Sequence, residues 1–188
     1  MSKFLIVGLG NIGEEYVNTR HNIGFKILDA LAKASNISFS SNRLAFTAEC
    51  KFKSKIFILI KPTTFMNLSG KAVNYWLQTE KIPLENLLVV TDDIALPFGT
   101  LRMKGKGSDG GHNGLKSIQE TLSTSEYVRL RFGVGSEFSR GKQVEYVLGE
   151  WSNEDLKILP QRIEIAVEMI KSLGTIGLQR TMTFFNNK

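Results

Sequence analysis

The chain has 188 residues, of which 42% are hydrophobic, enough to bury one core, so a single domain over residues 1–188 is expected. Its longest apolar runs are too short to cross a bilayer, which excludes a helical membrane protein and predicts no membrane partner. The net charge is +6, with 24 Lys and Arg against 18 Asp and Glu, and such a balance attracts phosphate. Most of the excess lies between residues 99 and 142, where eight basic residues face four acids; from residue 150 onward there are five of each sign. An ordinary solvated lysine surface has the same composition, so charge alone leaves both readings open. Cys50 is the single cysteine, which forbids an internal disulfide and fits a reducing cytoplasm.

The run FLIVGLG at residues 4–10 reads as a fully buried strand ending in closely spaced glycines, as in the middle of a parallel sheet. It lacks the small-residue cleavage site of a leader and leads straight into polar residues. Gly8, Gly10 and Gly13 predict a sharp turn with a close approach of backbone. Asn11, Tyr16, Arg20, His21 and Asn22 follow, and are expected to be displayed rather than buried. Helical spacing of Gly24, Ile27, Leu28, Leu31 and Ala34 predicts a helix over residues 22–34. Alternation over 44–52 predicts a half-buried strand with Cys50 facing inward. KIFILIK at 55–61 reads as a continuous buried strand ended by Pro62. Asn67 lies in TTFMNLSG, just ahead of a helix expected over 69–78. LLVV at 87–90 is a further buried strand, running into Thr91, Asp92 and Asp93.

Strand, loop and helix thus alternate, which predicts an α/β fold with a largely parallel sheet. Ligands of such sheets bind beyond the carboxyl ends of the strands. Asn11, Asn67 and Asp92 each follow an apolar strand, so they converge on one edge if those strands are parallel and close. Residues 101–104 predict a short strand, which runs into GKGSDGGHNG with its five glycines. A helix over 115–122 comes next, then YVRLRFGVG at 127–135, an alternating strand with Arg129 and Arg131 on one face. An amphipathic helix over 153–173 closes against the sheet, and the terminal TMTFFNNK carries no readable pattern.

GLGNIG matches the dinucleotide fingerprint G-x-G-x-x-G. Glu14 and Glu15 stand where pyrophosphate would sit, however, and no helical period begins before His21, which speaks against a nicotinamide or flavin cofactor. Two histidines, no H-E-x-x-H and no paired cysteines give no metal site. A nucleophile elbow and a Walker loop are also missing. No cofactor and no metal are expected. What remains is a histidine with carboxylate and amide company. Such a group takes a proton near neutral pH when its tautomer is held, and a buried carboxylate such as Asp92 does that. Asparagines at 11, 67 and 113 can donate to an oxyanion or grip an amide backbone. A lone histidine is more often an ordinary polar residue; it is the set of five that points to water attack on an acyl centre without a covalent intermediate.

Five segments, GLGNIGEEYVNTRHNIGF, KPTTFMNLSG, DDIALPFG, GGHNGLKSI and RLRFGVG, make the chain resemble bacterial-type peptidyl-tRNA hydrolase over nearly its whole length. Ile12 stands where the family usually has proline. The resemblance implies one α/β domain, a mixed, mostly parallel twisted sheet enclosed by helices. It implies a cytoplasmic, monomeric, metal-independent enzyme that cleaves the ester joining peptide to the terminal ribose of tRNA. No obligate protein partner is expected. His21 is implied to activate water, and Asp92 to orient it. Asn11 and Asn67 would hold the peptide, Asn11 helping to tell a blocked amine from a free one. Asn113 would hold the water or ester oxygen, with His112 shaping its loop and Met66 packing beneath. Tyr16 and Phe65 are implied to line the path of the tRNA 3′ end. Lys104 and Arg131 are implied to clamp phosphate at the tRNA 5′ end, away from the chemistry, while Arg129 reads as a solvated surface residue. A non-catalytic RNA-binding protein on the same scaffold is the alternative. A weaker one is a phosphate-binding enzyme that uses GKGSDGGHNG as an anion nest.

Overall fold

The computed structural model describes residues 1–186 and 188. Strands β1 (Ser2–Gly8), β2 (Ser40–Asn42), β3 (Ala45–Phe52), β4 (Lys55–Pro62), β5 (Leu87–Asp93), β6 (Leu101–Lys104) and β7 (Val128–Gly133) form one sheet in the order β2-β3-β4-β1-β5-β7-β6. The four central strands, β4-β1-β5-β7, are parallel, and the pairs β2-β3, β3-β4 and β6-β7 are antiparallel. The sheet is therefore mixed, with a parallel centre and antiparallel edges. Lys53 and Ser54 are too short a link for a crossover, so β3 and β4 must form a hairpin.

Helices cover both faces, and this explains the unbroken apolar runs in β1, β4 and β5. Leu5, Val7 and Val89 point to one side, where they meet Val73 of α2 (Ser69–Thr79) and Leu115 and Ile118 of α3 (Asn113–Leu122). Ile6, Leu88, Val90 and Leu130 point to the other. There they pack with Ile27, Leu28 and Leu31 of α1 (Ile23–Ala34) and Met169 and Ile170 of α5 (Asn153–Ile176). Each such aliphatic side chain contributes about 1.5–3 kcal/mol by burial. Cys50 is buried, facing inward as expected.

Main chain meets main chain where α1 starts. A Cβ on Gly24 would lie 2.5 Å from the Leu9 nitrogen and 2.6 Å from the Val90 oxygen, and one on Gly8 would lie 2.4 Å from the Gly24 oxygen. Only glycine admits this contact. It delivers the single 3-10 turn Arg20–Asn22, which leads into α1, to the carboxyl ends of β1 and β5.

Three elements have no counterpart in the sequence reading: β2, α4 (Gln143–Val147) and α6 (Leu178–Phe185). β2 is wholly exposed and α4 has no buried residue, so neither carries an apolar period. α6 does carry a short one, Leu178, Met182 and Phe185, which packs half-buried against the core. Leu44 lies at φ 64°, in the turn before β3 rather than in the strand. Past α6, the Asn186 amide bonds the Met103 N–H and carbonyl at 2.8 and 2.9 Å and so covers the free edge of β6. No helix among the described residues is long and apolar enough to cross a membrane.

Candidate active site

A cavity of about 270 Å³ opens where the chain, having placed β4 on one side of β1, places β5 on the other. This is the position at which open α/β sheets bind ligands. Asn11, His21, Asp92, His112, Asn113 and Arg131 are among its lining residues.

Nδ1 of His21 lies 3.1 and 3.0 Å from the two oxygens of Asp92. Asp92 belongs to β5 itself and is only 4% exposed. Its Oδ1 also faces Nε2 of His112 at 2.9 Å. His112 caps α3: its Nδ1 accepts from the N–H groups of Gly114 and Leu115 at 3.0 and 3.4 Å. A ring nitrogen that accepts two N–H groups carries no proton, so the proton of His112 sits on Nε2 and is donated to Asp92. Asp92 thus receives two imidazole N–H groups. For His21 this places the proton on Nδ1 and leaves Nε2 with its lone pair.

The charges follow from this arrangement. Burial acts to raise the pKa of Asp92, but the two imidazoles beside it outweigh burial and hold the carboxyl well below the usual carboxylate range. Burial acts to lower the pKa of His21, but the charge of Asp92 and its hydrogen bond overcome that and raise it above the ordinary histidine value. His21, Asp92 and His112 also form the one set of three possible metal ligands close together among the described residues. An ion taken up there would need a lone pair that His112 does not offer, since Nδ1 serves the helix and Nε2 serves Asp92.

The other expected site residues divide into those that reach the cavity and those that do not. Asn11 lines it, and its own backbone is clamped by the side chain of Asn22, which accepts from the Asn11 N–H and donates to its carbonyl, both at 2.8 Å. Asn22 is 2% exposed, which corrects the expectation that it is displayed. It is buried because it stands in for the peptide partner that a glycine turn lacks. Asn113, the first residue of α3, lines the cavity. Met66 is buried on the lining, and a Cβ on Gly114 would lie 2.8 Å from its sulfur. Asn67 and Phe65 are exposed and Tyr16 is half-buried, and none of the three lines the cavity. Of the three amides and acids expected to converge, Asn11 and Asp92 meet, and Asn67 stays outside.

His112, expected only to shape its loop, bonds the carboxylate directly. Arg131, expected away from the chemistry, lines the same cavity, because it sits opposite Thr91 in the β5–β7 ladder. Its Nη1 lies 3.4 Å from Asp93 and its Nη2 donates to the Ser108 carbonyl at 2.7 Å. Lys104 ends β6, exposed and outside the lining. Arg129 is not a surface residue: it is fully buried, with its guanidinium 4.1 Å from the Tyr127 ring centroid. It donates to the carbonyls of Gly107, Ser125 and Tyr127. Alternation gave the shared face of Arg129 and Arg131 correctly; the glycine-rich segment folding over that face is what removes Arg129 from water. In that segment the Gly111 N–H bonds Asp109 Oδ1 at 2.8 Å, so one N–H of the supposed nest is taken by the protein's own carboxylate. Ile94, Val144, Val147 and Leu148 form an apolar wall that no sequence pattern announced.

The sequence model described as peptidyl-tRNA hydrolase matches residues 5–188. The peptidyl-tRNA hydrolase of Phocaeicola vulgatus is 60% identical over 99% of this chain and 100% of its own length. That of Bacteroides fragilis (strain ATCC 25285) is 58% identical over the same shares. The crystal structure of peptidyl-tRNA hydrolase from Acinetobacter baumannii has a TM-score of 0.92 at 31% identity, covering 98% of this chain and 94% of that one. On a match that spans almost every residue, the chain belongs to the peptidyl-tRNA hydrolase family.

Proposed function

We propose that the protein hydrolyses the ester linking a peptide to the 3′ end of tRNA, with His21 as the base that activates water. Family membership supports the substrate. The observation that carries the mechanism is the pair of His21–Asp92 contacts at 3.0 and 3.1 Å on the wall of a cavity. With Nδ1–H committed to Asp92, Nε2 takes a proton from water as its oxygen attacks the ester carbonyl. The imidazolium that results is stabilised by the Asp92 carboxylate. Amide N–H groups of Asn113 and Asn11 answer the developing oxyanion and the peptide backbone. The ester C–O bond then breaks, and the ribose oxygen leaves with the proton held on Nε2, which restores the neutral base. Asn67, Phe65 and Tyr16 lie outside the cavity and are read as contacts for the peptide and the tRNA 3′ end. Lys104 and Arg131 are read as phosphate-holding cations that bind without regard to base sequence. The reading carries with it a cytoplasmic monomer acting as one domain.

Release of the acyl group from an N-acetyl-aminoacyl-tRNA, compared with the unblocked aminoacyl-tRNA in chelator, tests this. Hydrolysis of the blocked substrate alone, lost in His21→Ala, is expected. Binding of tRNA without hydrolysis would instead favour the RNA-binding alternative.

A further inference from the structure

One wall of the cavity is made by α4, whose segment contributes Val144, Val147 and Leu148. No residue of α4 is fully buried, and half-buried Tyr146 is its one side chain packed against the core among the described residues. Its anchors are few and directional. The Tyr146 hydroxyl donates to the Val134 carbonyl at 2.6 Å. Tyr146 is also gripped by Arg20, whose Nη1 donates to the Tyr146 carbonyl at 2.9 Å while its guanidinium carbon stands 4.1 Å from the ring centroid. The Arg20 N–H donates to the Gly149 carbonyl at 3.0 Å, and Thr19 bridges to Glu150. A Cβ on Gly149 would lie 2.9 Å from Arg20 Nη1, so the guanidinium fits closely against this backbone.

Arg20 is the residue before His21, on the same 3-10 turn. We propose that Arg20 is a positioning residue that fixes the α4 wall relative to His21 and thereby sets how firmly the acyl-bearing end of the substrate is held. The proposal rests on the hydrolase reading for its substrate, though not for the tether itself. A planar guanidinium can stack on a ring and donate to the carbonyl behind it in one pose; a compact ammonium can approach a ring or donate to a carbonyl, but lacks the flat fork that does both at once. Arg20 makes no ion pair among the described residues, and it does not touch Asp92. Its action is therefore on the wall and leaves the strength of the base alone.

The test uses the full-length protein with Arg20→Gln and Arg20→Lys, read by hydrogen exchange and by hydrolysis of N-acetyl-phenylalanyl-tRNA. In Arg20→Gln, exchange at residues 143–149 should quicken about tenfold while β1 and β5 stay protected, the scale of one lost anchoring bond. KM should rise about fivefold, with the acid limb of the pH–kcat profile unmoved, and Arg20→Lys should recover part of the loss. Unchanged exchange over 143–149 would overturn the tether. A fall in kcat with a displaced acid limb and unchanged KM would show that Arg20 acts on His21 instead. Should Arg20→Gln fail to fold, Tyr146→Leu removes the same stack from the other side. It must quicken exchange and raise KM beyond Tyr146→Phe, which loses only the hydroxyl bond to Val134; no difference between the two would overturn the tether. A wild-type protein that hydrolyses nothing would sink the hydrolase reading, while exchange would still decide the tether.

Discussion

Replacing Asp92 by asparagine keeps the shape of the carboxyl group and gives the site too few acceptors. Two N–H donors converge on Asp92: His112 Nε2 on Oδ1 at 2.9 Å, and His21 Nδ1 on Oδ2 at 3.0 Å. Asparagine has a single oxygen to offer. His112 cannot change its tautomer without abandoning Gly114 and Leu115, so it claims that oxygen and leaves the NH₂ group facing His21. Nδ1 of His21 must then accept, its proton moves to Nε2, and the lone pair meant for water is gone. A wrong tautomer in a comparable histidine–carboxylate pair lowers kcat by about 10⁴, or roughly 5.5 kcal/mol of barrier. Removing His112 as well should help rather than harm. In Asp92→Asn/His112→Ala the amide is free to rotate and turn its oxygen to His21, so the double variant should exceed Asp92→Asn in rate by about tenfold. Recovery stays partial because no anion stabilises the imidazolium, and the lost cap costs about 1 kcal/mol of stability. Single-turnover hydrolysis of N-acetyl-phenylalanyl-tRNA, well below the melting temperatures, measures this. A double variant no faster than Asp92→Asn alone would refute the claim that His112 dictates the tautomer.

Because the base works only when neutral and Asp92 raises the pKa of His21, the acid limb of kcat/KM should have its midpoint above about 6.5. The same raised pKa means that protonated His21 stabilises the fold at low pH, and that this contribution fades as pH rises through the folded-state value. Melting curves of wild type and His21→Ala should therefore differ most below about pH 6 and approach one another at alkaline pH. Gly24→Ala forces a Cβ to within 2.6 Å of main-chain atoms of Leu9 and Val90; urea titration should show a loss of about 2–3 kcal/mol, and an unchanged midpoint would disprove the backbone contact. Arg131→Ala should raise KM and reduce the slope of log KM against log salt by about 1, whereas a fall in kcat alone would remove it from the phosphate-binding set. Asn22→Ala strips both partners from the Asn11 backbone. It should cost about 2 kcal/mol in a denaturant titration and lower kcat/KM with it.

The central strands and α1, α2, α3 and α5 were legible because each buries a face, and burial writes a period into the sequence. α4 has no buried residue, so its role as a cavity wall left no such trace. His21, Asn11 and Asn113 could be picked out as polar residues in or beside glycine-containing loops, and Asp92 as an acid at the end of an apolar run, although it proves to lie within β5. The second function of His112 could not: one imidazole that both caps a helix and bonds a carboxylate depends on α3 beginning beside β5, a matter of tertiary placement. Arg129 and Arg131 show the limit most plainly. Alternation assigns them one face, but only the folded path of residues 105–112 decides that one is sealed over Tyr127 and the other opens on the cavity.

The contact between Gly8 and Gly24 has a mechanical meaning. At its first turn α1 rests on the sheet through main-chain atoms, whereas further along it rests on side chains such as Leu28 and Leu31. Backbone atoms cannot be made smaller, while side chains can be exchanged or rearranged. A change of volume beneath the far end of α1 will therefore tip the helix about its first turn rather than slide it bodily. The fulcrum lies within a few residues of His21, so the base moves least when the core moves most. Substitutions at Leu31 can drift without disturbing the distance from imidazole to carboxylate.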